Sequence, residues 1–173
     1  MAFAFFAAGL ATNHTMQICI KHFNELTREE LYALLRLRAE VFVVEQQCPY
    51  LDPDGIDPVC YHALIHVQDR LVAVSRIIPP GVAYPDYASL GRVVTHASVR
   101  RTGIGRTIVH ESLRAIEQFF PAAAVKIAAQ SYLENFYGNF GFIRVGEDYL
   151  YDGILHCDMV RAPGLRVQGR ADG

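Results

Sequence analysis

Val93-Val94-Thr95-His96-Ala97-Ser98-Val99-Arg100-Arg101-Thr102-Gly103-Ile104-Gly105 is the stretch that decides the fold class of this 173-residue chain. A β-type apolar run over residues 90–95 leads into Arg-x-x-Gly-x-Gly, and an amphipathic helix follows over residues 105–119. Two glycines let the backbone come close to a ligand. The helix start offers free N–H groups at the positive end of its dipole, a setting that suits a pyrophosphate. Arg100, Arg101 and Arg106 add guanidinium groups for charge-assisted contacts. The motif is not a P-loop, because no Gly-Lys-Ser/Thr follows, and Ile108 stands where a dinucleotide fingerprint needs its third glycine. The same string also reads as a plain turn with solvated arginines.

Outward from this turn, the chain alternates strand and helix patterns. Residues 17–23 alternate as a strand. Thr27-x-x-Glu30 is a capping box for a helix whose apolar stripe is Leu31, Leu34, Leu35, Val41 and Phe42 and which ends before Pro49. Residues 48–58 form a loop. Residues 61–67 and 71–78 read as a hairpin turning at Gln68-Asp69-Arg70, and 79–89 as a second loop. Beyond the central helix come a buried strand over 125–129 and a short helix over 133–140, with Leu133, Phe136, Tyr137 and Phe140 on one side. Two strands, 142–151 and 154–160, then meet at Asp152-Gly153. The order β-α-β-β-β-α-β-α-β-β predicts one α/β domain over residues 16–161, a mixed sheet with helices on both faces.

Composition narrows the function. A hydrophobic fraction of 51% supports a sizeable core, and a net charge of −2 without a basic face argues against nucleic acid as partner. Cys19, Cys48, Cys60 and Cys157 show no paired spacing and read as free thiols in a reducing compartment, the cytoplasm. Residues 1–15 begin with an apolar run too short for a membrane span and without the basic start of a signal peptide. They are expected to be a loosely held arm or the product of an upstream mis-assigned start. Residues 162–173 are expected to be a frayed tail.

Thirty-odd residues after the glycine turn comes Asn135-Phe136-Tyr137-Gly138-Asn139-Phe140-Gly141-Phe142. Together the two segments resemble the acetyl-CoA-binding half of the GCN5-related N-acetyltransferases (GNAT), and the resemblance covers residues 16–161. The string from Leu37 to Tyr50 (Leu-Arg-Ala-Glu-Val-Phe-Val-Val-Glu-Gln-Gln-Cys-Pro-Tyr), followed by Asp54-Gly55-Ile56-Asp57 and His62, resembles the ElaA-like branch. The resemblance implies a GNAT-like, mostly antiparallel sheet and an acyltransferase using acetyl-CoA, with no metal. Backbone groups of Val93, Val94 and Thr95 would pair with the pantetheine arm, one N–H polarising the thioester carbonyl. Arg100, Arg101, Thr102, Gly103, Ile104, Gly105 and Arg106 would cradle the pyrophosphate. Tyr137, four residues before Gly141-Phe142, matches the family's general acid for the departing thiolate. From periodicity alone it is a core tyrosine. Gln130 stands where many members carry Asn, and Leu133 replaces a usual alanine; Gln130 and Asn135 are counted with the cofactor-binding set. Family members often dimerise, though no isolated apolar patch in the sequence demands it.

The first helix carries the acceptor candidates. Arg38 falls on the apolar stripe seven residues after Leu31, with Glu45 seven further on and Gln46 beside it. Buried charges need partners, so Arg38 and Glu45 either form an internal ion network or belong to an acceptor pocket where Glu45 binds or deprotonates an amine. His62 is a second candidate base or a half-buried strand residue. Arg92 is a candidate for an acceptor carboxylate or a structural ion pair. Asp52, Asp54 and Asp57 read as a solvated turn, since no downstream glutamate completes a calcium loop, and His62 with His66 lack a third zinc ligand. The expected reaction is direct attack by a small amine in a ternary complex. Two alternatives stand beside it. Arg38, Val41, Phe42 and Glu45 also resemble the pattern of acyl-homoserine lactone synthases, and a CoA-binding regulatory module without catalysis fits the same motifs.

Overall fold

A computed structural model describes residues 3–5 and 16–165. Its strands are β1 (Phe3–Phe5), β2 (Met16–His22), β3 (Tyr61–Val67), β4 (Arg70–Ile78), β5 (Tyr87–Thr95), β6 (Ala124–Gln130), β7 (Ile143–Tyr151) and β8 (Ile154–Arg161). They form one sheet in the order β1-β2-β3-β4-β5-β6-β8-β7. Every described pairing is antiparallel except β5 with β6. The helices are α1 (Arg28–Arg38), α2 (Ile104–Phe119) and α3 (Glu134–Gly138). The mixed, mostly antiparallel sheet is the expected one.

Local chemistry explains where the elements begin and turn. The Thr27 hydroxyl accepts from the Glu30 N–H at 3.1 Å, and the Glu30 carboxylate accepts from the Thr27 N–H at 2.9 Å. Two amides that no helical carbonyl can reach are thereby satisfied. Gln68 and Asp69 join β3 to β4 with φ of 51° and 60°, and Asp152-Gly153 joins β7 to β8 with 48° and 79°. Paired left-handed residues give the two-residue turn whose twist matches the strands.

Strand alternation sends side chains to two cores. Ala63, Ile65, Ala73 and Ile77 cluster with Ile108, Val109, Leu113 and Ile116 of α2. Leu64, Val74 and Val94 cluster with Leu34, Leu37 and Val41, carried by α1 and the turn after it. The two long helices therefore cover opposite faces, as expected. All four cysteines are free. Among the described residues no helix is long and apolar enough to cross a membrane.

At the termini the structure refines the expectation. The backbone of Phe3–Phe5 pairs with Ile18, Cys19 and Ile20 rather than hanging loose. Residues 1–2 and 6–15 lie outside the described residues. Of the expected frayed tail, Leu165 is held, its carbonyl accepting from the buried Arg161 guanidinium; residues 166–173 lie outside the described set.

Two irregularities shape the middle of the sheet. Val94 pairs with Val74 but Gly91 pairs with Arg76, so Arg92 and Val93 together oppose Ser75 alone. This β-bulge puts Arg92 at φ +50°. Below it, β5 pairs with β6 only through Tyr87, Ala88 and Ser89 against Ala124, Val125 and Lys126, after which the two strands part. The second irregularity follows α1. Residues Ala39–Glu45 wind as a π-helix, with the Gln46 N–H donating to Val41 O five residues back. The wider turn changes the phase. Glu45, expected on the face of Arg38, is carried out to the exposed side.

Candidate functional site

The parting of β5 and β6 opens a cleft of about 760 Å³. Arg92, Val93, Val94 and Thr95 line one wall and Ile127 to Gln130 the other. Phe42, Glu45 and Gln46 come in from the π-turn, Tyr137 from α3, and Tyr149, Tyr151 and His156 from the β7–β8 hairpin. A smaller groove of about 450 Å³ beside the end of α2 holds none of the expected site residues.

Tyr137 forms part of the inner wall and is 8% exposed. Its ring is packed edge-on against Phe136 at 5.1 Å and Phe142 at 5.9 Å. Its hydroxyl makes no hydrogen bond among the described residues, although buried phenols ordinarily find a partner. Burial pushes its pKa up to about 12, so the group stays protonated at neutral pH. The result is a proton donor with an open valence at the cleft.

The glycine turn lies against the same wall, since a Cβ on Gly105 would sit 3.9 Å from Cγ2 of Thr95. Gly103, at φ +90°, caps α2 and receives the N–H groups of Arg106 and Thr107 on its carbonyl. No acceptor is present among the described residues for the amides of Arg101, Thr102, Gly103, Ile104 and Gly105. The Thr102 hydroxyl donates to Val99 O at 2.6 Å, tightening the loop. Arg106 lies over the Phe140 ring, 5.6 Å from its centroid, and Arg101 is exposed. Arg100 is already engaged. Its two terminal nitrogens donate to the Glu45 carboxylate at 2.8 and 2.7 Å, tying the π-turn to the segment that leads into the glycine turn and holding the Glu45 carboxyl below its usual range.

The acceptor candidates separate. Arg38 and His62 do not line the cleft, which corrects the pocket role for Arg38 and the base role for His62. Arg38 is 1% exposed and donates to Asp52 at 2.7 Å and Asp57 at 2.8 Å. His62 is equally buried, with Nε2 3.4 Å from Asp57 O. Asp52 and Asp57, expected on a solvated turn, are buried anchors for Arg38, Arg76 and Arg92. Arg92 does reach the cleft, yet its Nε donates to Asp52 at 2.8 Å. Asn135 is exposed and outside the cleft lining, whereas Gln130 lines it and accepts from the Tyr132 hydroxyl at 2.6 Å.

Burial pushes the His62 pKa down from 6.5 to about 4. Between those values the unfolded chain binds the proton and the folded chain does not. Its contribution to stability is therefore complete above pH 6.5 and is lost as pH falls toward 4. Thermal melts should show the melting temperature dropping across that window, and His62→Asn should flatten the drop.

Residues 60–162 match the family model described as an acetyltransferase (GNAT) domain. The chain belongs to the GNAT acetyltransferase family. It is 41% identical over 142 residues to protein ElaA of Escherichia coli strain K12, covering 81% of this chain and 92% of that one. The crystal structure of Escherichia coli ElaA superposes with a TM-score of 0.80 at 38% identity, covering 84% of this chain and 99% of the other. The crystal structure of an acyl-CoA N-acyltransferase from Pseudomonas aeruginosa superposes with a TM-score of 0.81 at 40% identity, covering 85% of this chain and 99% of the other. The acyl-homoserine lactone synthase LasI shares only the fold, with a TM-score of 0.67 at 15% identity over 91% of this chain and 94% of that one. The GNAT match and the fold support an acyltransferase acting on acyl-CoA.

Sequence reasoning missed the aromatic wall of Tyr149, Tyr151 and His156. Strand alternation places these side chains on a sheet face but says nothing of which strand lies across a cleft from them. It also missed Asp52 as a buried hub, because a lone loop aspartate carries no periodic signal.

Proposed function

We propose that this protein transfers the acetyl group of acetyl-CoA to the amine of a small acceptor, by direct attack within a ternary complex. The observation that carries the reading is the Tyr137 hydroxyl, buried and unpartnered at the cleft wall. Two further features fit the co-substrate. The run of free amides from Arg101 to Gly105 suits its pyrophosphate, and β5 beyond Ser89 has a free edge for its amide-bearing arm.

Backbone N–H groups on that edge hold and polarise the thioester carbonyl. The amine nitrogen bonds to the carbonyl carbon and the carbon–sulfur bond breaks. Tyr137 donates its proton to the departing sulfur, and its oxygen is reprotonated from the proton the amine gives up. The thiolate is desolvated by the same apolar walls, which raises its proton affinity along with that of the phenol. Glu45, ionised beside Arg100, gives the cleft mouth a carboxylate that attracts a cationic amine. Gln46 and Arg92 border the acceptor side. The working compartment in this reading is the cytoplasm, where the four thiols stay reduced.

An amine-panel screen with acetyl-CoA, following free thiol release, tests the reading. Release above the amine-free rate is expected with at least one small amine. Calorimetry that gives no heat at millimolar acetyl-CoA removes the co-substrate. Heat without turnover on any amine favours a CoA-sensing module. Turnover only with an acyl-carrier protein and S-adenosylmethionine favours the lactone synthase.

A further inference from the structure

We infer that Asp52 and Arg92 are positioning residues, a side-chain clamp that holds the β5 bulge in its left-handed form and so fixes the backbone of Val93, Val94 and Thr95 against the cleft. The inference rests on the acyl-transfer reading for its kinetic consequence but not for its structural one.

The bulge is the point where β5 changes register against β4, and Arg92 is the residue that takes the irregular conformation. Its φ of +50° lies in the region that residues with a Cβ avoid and that glycine enters freely. An unclamped arginine would gain by returning to extended backbone. That return would move the two-against-one slip and shift which groups of the next residues face the cleft.

What opposes the return is contact through the side chain. Arg92 Nε donates to Asp52 Oδ1 at 2.8 Å, and Nη2 lies 3.3 Å from both the Asp52 carbonyl and Asp54 Oδ2. The guanidinium also lies over Phe42 and Tyr50, 5.9 and 5.7 Å from their ring centroids. Asp52 cannot follow Arg92 outward. It is buried, and its second oxygen takes the Arg38 Nε hydrogen bond at 2.7 Å from the end of α1. The clamp thus runs from α1 through Asp52 to the bulge, using charge-assisted bonds where water is scarce.

Alanine and glycine at position 92 delete the same guanidinium and differ in their tolerance of a left-handed φ. With acetyl-CoA and the best amine of the panel, kcat of Arg92→Ala should lie about tenfold below that of Arg92→Gly. Amide hydrogen exchange at Val93, Val94 and Thr95 should be faster in the alanine variant by a similar factor. Arg92→Asn, whose side chain also tolerates left-handed backbone, should follow glycine and serves if alanine does not fold. Equal kcat and equal exchange in the alanine and glycine variants would overturn the clamp. So would an equal rise of the acceptor KM in both, which would make Arg92 a contact to the acceptor instead. If no amine supports turnover in the wild type, the acyl-transfer reading fails while the exchange comparison still decides the clamp.

Discussion

Tyr137→Phe is expected to lower kcat at least about 100-fold, within the range that a positioned general acid contributes, with KM for acetyl-CoA changed less than about twofold. Phenylalanine keeps the ring that packs on Phe136 and Phe142. It removes a hydroxyl that has no partner among the described residues, so no protein hydrogen bond is lost and the fold should melt at the same temperature or slightly higher. Thiol-release kinetics on the two proteins, with a thermal melt of each, check both halves. Undiminished turnover would assign proton delivery to another group.

Arg38→Ala is expected to cost about 3–5 kcal/mol of folding stability, the range measured when one partner of a buried ion pair is removed. The loss would leave Asp52 and Asp57, both buried, sharing Arg76 and Arg92. Domains of this kind have about 5–15 kcal/mol in total, so the variant should sit close to unfolding at 37 °C. Urea titration at pH 7 reads the difference directly. A change below about 1 kcal/mol would mean that water or rearrangement satisfies the two aspartates, and that the network is less dry than its burial implies.

From β2 onward the element order was legible because each element carries its own signal. The Thr27–Glu30 box, the Gln68-Asp69 and Asp152-Gly153 turns and the strand alternation are local, and the structure has all of them. The glycine turn and Tyr137 were legible from a resemblance extending over most of the chain. The acceptor side was not. A heptad-like count put Glu45 on the face of Arg38, and one wide helical turn between them broke the count. Asp52 and Asp57 read as solvated because charge and a loop go together by default, and their buried arginine partners come from α1, β4 and β5. Such partnerships exist only once the chain has closed on itself.

The three rungs joining β5 to β6 make the sheet resemble a book bound along a very short spine. Beyond the binding, the facing pages share no ladder, so on the proposed function the carrier's amide-bearing arm would take the place of the missing rungs. On the proposed function, heat tolerance is expected to rise with the concentration of acetyl-CoA, through the mass action of a ligand that binds the folded chain alone.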